Sequence, residues 1–91
     1  MTVTWTVYLL ELSDGRFYVG LTSRLSDRVA EHASGRGPTA TRTHLPVRLL
    51  WKQELPDLET ARRVERWLKR RSREEKQKYC SENGEWVATS A

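Results

Sequence analysis

Two strand-forming runs joined by a Ser-Asp-Gly turn constrain this chain more than any other feature. Residues 3–12 read VTWTVYLLEL, and Arg16 to Leu21 read RFYVGL. Both runs are rich in β-branched and aromatic side chains, and Ser13-Asp14-Gly15 supplies turn chemistry, so the pair is expected to form a β-hairpin. Two registers are open. A two-residue loop at Asp14-Gly15 pairs Glu11 with Tyr18 and sends Tyr8 and Tyr18 to opposite faces, because successive side chains alternate. A three-residue loop, a type I turn followed by glycine in the αL conformation, pairs Leu10 with Tyr18 and Tyr8 with Gly20. In that register both tyrosines share one face with their hydroxyls close, and Gly20 leaves space opposite Tyr8.

Beyond the hairpin the pattern changes period. Thr22 or Ser23 can cap a helix that runs to about Ser34, with Gly35 as its C′ residue. Its apolar ridge is Leu25, Val29 and Ala33, with Arg28 and His32 stacked four apart on one flank. Residues 35–46 form a polar loop containing Gly and Pro. Pro46 opens a third strand, in which Val47, Leu49 and Trp51 alternate with Arg48, Leu50 and Lys52. Pro56-Asp57 opens one long helix from about Leu58 to Tyr79. The expected fold class is therefore α+β, a small three-stranded antiparallel sheet flanked by helices in the order β-β-α-β-α. Residues 1–80 make the domain, and residues 81–91 a weakly structured C-terminal tail on which Trp86 docks back.

At 91 residues the chain is long enough for one core and too short for two. Its 37% hydrophobic content, with four Trp and three Tyr, argues against disorder throughout. No apolar run is long enough to span a bilayer, and MTVTWTVYLL lacks the basic region and cleavage site of a signal peptide. Cys80 is the only cysteine, which excludes an internal disulfide and a cysteine-based zinc cluster and fits a reducing cytoplasm. The net charge of +4 is unevenly placed. Residues 59–78 carry nine basic and four acidic groups, for +5, against +1 before them and −2 after. Such a stripe means either a phosphate-bearing partner or a solvated helix face.

Some residues stand out against these patterns. Glu65 lies on or beside the apolar stripe Leu58, Ala61, Val64 and Leu68 of the last helix. A carboxylate there needs a partner, either an arginine in a buried salt bridge or a cation such as Mg²⁺, which accepts one carboxylate plus water and phosphate. Taken singly, Tyr8 and Tyr18 read as core or cross-strand aromatics. Arg28 and His32 read as surface residues, and Lys69, Arg70, Arg71, Arg73, Lys76 and Lys78 as cations suited to a helix C-terminus.

Taken in order, these residues resemble a GIY-YIG nuclease domain of the small single-domain bacterial group. Thr6-Val7-Tyr8 resembles the first signature and Tyr18-Val19-Gly20 the second. Arg28-Val29-Ala30-Glu31-His32 resembles the Arg-x-x-x-His helix motif, and Ala40-Thr41-Arg42 with Pro46-Val47 the loop into the third strand. Ala61-x-x-x-Glu65-x-x-Leu68-Lys69-x-x-Ser72-Arg73 resembles the helix bearing the acidic residue. Together they cover roughly residues 4–78. Thr6 departs from the Gly of the family name, and Val7 and Val19 stand in place of its Ile. Asn83, the only asparagine, lies in the tail, and no family role is carried over to it.

The resemblance implies phosphodiester hydrolysis with one divalent ion, Mg²⁺ or Mn²⁺, on nucleic acid, with DNA expected and repair or recombination as the setting. It gives Tyr8 the role of base, with Arg28 and the metal lowering its pKa. Tyr18 and His32 would orient water or assist proton transfer. Arg28 would stabilise phosphoryl charge, and Glu65 would hold the metal. Thr41, Arg42, Lys69, Arg70, Arg73 and Lys76 would contact the nucleic acid backbone. Two other readings compete: a non-catalytic nucleic-acid-binding module of the same fold, and a protein-interaction face built on the tyrosines with Trp51, Trp67 and Trp86. No membrane partner is expected.

Overall fold

The computed structural model describes residues 3–37 and 47–87. Three antiparallel strands, β1 (Trp5–Glu11), β2 (Phe17–Thr22) and β3 (Arg48–Leu55), are joined by a fourth, β4 (Glu85–Trp86), in the order β2-β1-β3-β4. The helices among the described residues are α1 (Leu25–Ala33), α2 (Leu58–Lys69) and α3 (Arg73–Glu82). The α+β class and the element order are as the sequence implies. The sheet has one strand more than expected, and the expected single long helix is two.

The hairpin adopts the three-residue loop. Leu10 pairs with Tyr18 and Tyr8 with Gly20. The Gly15 N–H donates to the Leu12 carbonyl at 2.9 Å, and Gly15 takes φ +87°, a value glycine reaches without steric cost. The alternation then sorts the hairpin. Val7, Leu9 and Val19 join Trp51, Ala61, Leu68 and Cys80 in the core under α2 and α3. Tyr8, Leu10, Tyr18 and Gly20 have the opposite parity and turn to the other face, where His32 of α1 lies.

In the third strand the alternation is interrupted. β1 pairs with β3 through Leu9–Trp51 and Leu10–Leu49, so Leu50 is an extra residue in a β-bulge. Leu50 and Trp51 are consequently both buried, where strict alternation places them on opposite faces.

The first helix departs in detail. Arg24 occupies the N-cap position with no side-chain cap bond, and the Thr22 hydroxyl instead accepts the Arg24 N–H at 2.9 Å. At the other end Gly35 (φ +82°) donates to the His32 carbonyl and Arg36 to that of Glu31, a Schellman motif that fixes the helix end. The expected ridge is rotated: Ala33 is exposed, while His32 is the fully buried residue of α1.

The second helix starts as expected, with the Asp57 carboxylate accepting the Thr60 N–H at 2.8 Å. It stops at Lys69 because Ser72 caps a new helix. The Ser72 hydroxyl accepts the Glu75 N–H and the Glu75 carboxylate accepts the Ser72 N–H, a capping box. After α3, the chain returns to the sheet. Trp86 pairs with Trp51 and Glu85 with Lys52, and the Trp51 indole N–H donates to the Asn83 carbonyl at 2.7 Å. The expected tail is therefore helix to Glu82 and strand at 85–86, and Asn83 serves this docking.

Candidate active site

Tyr8 is the hub of the predicted catalytic group. It is 1% exposed, on β1, with its ring laid across Gly20 of the edge strand β2. Its hydroxyl is hydrogen-bonded to Nε2 of His32 at 3.0 Å. The His32 ring is edge-on to both tyrosines, with centroids 5.9 Å from Tyr8 and 5.2 Å from Tyr18. The Arg28 guanidinium, one turn before His32 on α1, hydrogen-bonds the Tyr8 phenol and pairs with the Glu31 carboxylate at 2.9 Å. Glu65 of α2 comes close enough for its charge to act on Tyr8. Three elements thus gather Tyr8, Tyr18, Arg28 and His32, and Glu65 of a fourth lies within electrostatic range of Tyr8.

Burial pushes the Tyr8 phenol up to about 12, with the Tyr18 and Glu65 charges acting in the same direction. The Arg28 hydrogen bond and charge pull it down without offsetting the burial. Arg28 alone therefore leaves Tyr8 a neutral phenol at pH 7; the expected base draws on Arg28 and the metal together. Burial, and next the Arg28 charge, hold His32 below its usual 6.5. The ring is neutral at pH 7.

Glu65 has one neighbour to displace or share. Lys69, one turn on, places Nζ 3.4 Å from a Glu65 oxygen, with 19% of the Glu65 side chain exposed. The expected arginine partner is thus a half-exposed lysine. Among the described residues no three His, Cys, Asp or Glu side chains gather to hold a metal. The donor that the candidate site offers is one carboxylate, Glu65. It suits a hard, oxygen-loving ion that keeps most of its water and takes further ligands from phosphate; it does not suit zinc or an all-protein cage.

The predicted nucleic-acid contacts divide. Lys69 and Arg70 are exposed at the end of α2, and Lys76 is half-buried on α3. Arg73 is committed elsewhere: it donates to the Gly15 carbonyl, lies 3.9 Å from a Glu11 oxygen, and covers the Phe17 ring at 4.0 Å. It fastens the hairpin turn to the start of α3. Thr41 and Arg42 lie outside the described residues. Trp51 is fully buried, so the three tryptophans do not form the common surface the interaction reading requires. Glu31 is the residue sequence reasoning passed over. Its i, i+3 spacing from Arg28 was the available signal.

A hairpin with two tyrosines on one face, an Arg-x-x-x-His helix over them and an acid on the helix that follows the third strand define a class. Residues 4–79 match the model of the GIY-YIG catalytic domain, and the chain belongs to that family. It is similar to a UPF0213 protein of Streptococcus pneumoniae serotype 4, 42% identical over 77 residues, which span 85% of this chain and 78% of that one. A UPF0213 protein of Bacillus cereus is 38% identical over 82 residues, 90% of this chain and 85% of the relative. The solution NMR structure of a UPF0213 protein from Bacillus halodurans superposes with a TM-score of 0.59 at 38% identity, covering 89% of this chain and 86% of that one. No helix among the described residues is long and apolar enough to cross a membrane.

Proposed function

We propose that this chain is a divalent-metal-dependent endonuclease that hydrolyses phosphodiester bonds in nucleic acid. DNA is its substrate, in repair or recombination, and the cytoplasm its compartment. The observation that carries this reading is the Tyr8 hydroxyl, held 3.0 Å from Nε2 of a fully buried, neutral His32, with the Arg28 cation acting on the same phenol. Packing alone gives no reason to bury a phenol between a cation and an unprotonated imidazole.

The arrangement suits proton relay better than a standing phenolate. A water attacking phosphorus gives its proton to the Tyr8 oxygen as the phenolic proton passes along the 3.0 Å hydrogen bond to His32 Nε2. His32 ends as imidazolium and later returns the proton to solvent; the leaving oxygen takes its proton from water. Tyr18, against the His32 ring, keeps that ring edge-on to the phenol. Arg28 faces the same oxygen as a cation that cannot deprotonate and is positioned to stabilise phosphoryl charge. Glu65 would hold one Mg²⁺ or Mn²⁺, which when bound neutralises charge on the phosphate and its leaving oxygen.

The test is a panel of nicked, flapped and branched DNA with Mg²⁺ or Mn²⁺, run with wild type, Glu65→Ala and Tyr8→Phe. Cleavage by wild type alone is expected. If wild type and Glu65→Ala give the same products, the reading fails. Salt-dependent binding with no cutting by any form identifies a non-catalytic binding module instead.

A further inference from the structure

The outward half of α2 connects Glu65 to an exposed tryptophan by way of cations. At about 100° per residue, the charged side chains met between Glu65 and Trp67 on the solvent side are Lys69, Arg62, Arg66, Glu59, Arg70 and Arg63. Glu59 is neutralised by Arg63 at 2.8 Å. Arg62, Arg66 and Arg70 recur every four residues, are exposed, and make no ion pair among the described residues. At the far flank Trp67 is 44% exposed. Tyr79 of α3 supports it from the core side, centroids 5.2 Å apart, and the Arg71 guanidinium lies 4.9 Å from the ring centre. Trp67 and Tyr79, with Arg63 and Val64, line an open cavity of about 230 Å³ with apolar walls.

The geometry points to a binding site for an unpaired nucleobase at Trp67–Tyr79, reached by a single strand whose phosphates cross the Arg62–Arg66–Arg70 ridge from the Glu65 site. This rests on the nuclease reading and narrows it to substrates with a single-stranded arm. The chemistry is complementary at both ends. The ridge offers unpaired guanidiniums to phosphates, and the tryptophan offers a ring to a base of any sequence. The path is about half the circumference of a helix 10–12 Å wide, roughly 15–20 Å, within reach of a few nucleotides. A duplex is too stiff to wrap around one helix, so the site selects for unpaired DNA.

The test is fluorescence anisotropy in EDTA, so that no cutting occurs, with a labelled blunt duplex and the same duplex carrying a short single-stranded overhang. Trp67→Ala is expected to weaken the overhang complex roughly 5- to 100-fold and leave the blunt complex unchanged. Trp67→Phe, which keeps a ring, should restore most of the difference, and Arg66→Gln should reduce overhang binding and its salt dependence. Matching melting temperatures for all three variants exclude misfolding as the cause. Equal binding of the overhang by wild type and Trp67→Ala, or equal loss on both DNAs, overturns the site while leaving the nuclease reading intact. Failure of wild type to bind either DNA at low salt overturns both. A concentration-dependent dimer that Trp67→Ala abolishes, with overhang binding unaffected, makes the patch a self-interface and overturns the site.

Discussion

Gly20 lies beneath the phenol of Tyr8, and a Cβ at position 20 would overlap Cζ and Oη of that ring. The tyrosine is 1% exposed and tied to His32, so its ring has nowhere else to go. Gly20→Ala is expected to cost about 1–3 kcal/mol, as overpacking does, and to abolish cleavage. Thermal unfolding reads the first and the nuclease panel the second. An unchanged melting temperature with full activity would mean that Tyr8 is free to move and that its position is not fixed by β2.

The Tyr8–His32 bond makes a prediction about rate against pH. If the phenolic proton passes to His32, the rate needs a neutral imidazole. It should fall on the acid side, below the usual histidine value of 6.5, and be flat above neutrality. A phenol at about 12 acting as preformed phenolate would instead raise the rate tenfold per unit through pH 9. Single-turnover rates at saturating Mn²⁺ separate the two. Tyr8→Phe should lower the rate by roughly 10²- to 10⁴-fold.

His32 also links stability to pH. Its folded pKa is lowered by burial, so protons bind the unfolded chain more readily. Its contribution is therefore complete above about 6.5 and lost as pH falls from there towards the folded value. The Asp57 and Glu75 caps, lowered by hydrogen bonds from Thr60 and Ser72, act in a separate window below their usual 3.8 and 4.5. Denaturant melts from pH 8 to 4 should show a first loss beginning near 6.5, and His32→Gln should remove it. Persistence of that first step in the variant assigns it to another group.

How much of this was visible beforehand depends on which interactions set each feature. The hairpin itself followed from Ser13-Asp14-Gly15, because turn chemistry is local, but two registers stayed open and only the folded pairing of Tyr8 with Gly20 chose between them. The bulge at Leu50 was hidden, since one inserted residue leaves no mark in a run already apolar on both sides of it. The break between α2 and α3 was written as Ser72-x-x-Glu75 but masked by the charged helix-formers around it. Two-residue β4 is too short to show a period; it exists because Gly84, at φ +64°, turns the chain onto Trp51. The motif residues of the site were named from sequence. The burial that keeps the Tyr8 proton in place is a property of the assembled fold, which no spacing reveals.

Arg73 and Arg70 should behave differently although they are three residues apart. Arg73→Ala removes the clamp to Gly15 and Phe17 and is expected to lower the melting temperature. Arg70→Ala, at an exposed C-cap, should leave stability within about 0.5 kcal/mol and weaken DNA binding. The reverse pattern would show that Arg73 faces the nucleic acid.

The capped break after Lys69 also changes how the protein meets a polyanion. α3, from Arg73 to Glu82, holds three basic and three acidic residues and is neutral as a unit. The excess belongs to α2 and the Arg70-Arg71 joint, so the molecule is cationic along one ridge. Few condensed counterions are then freed on binding. With Arg62, Arg66, Lys69 and Arg70 engaged, the logarithm of affinity for single-stranded DNA should fall with the logarithm of salt at a slope near −3. A slope of −6 or steeper would require both helices to face the strand. On the proposed function, the helix break would make this a weak electrostatic holder, one that releases DNA readily and leaves selectivity to shape.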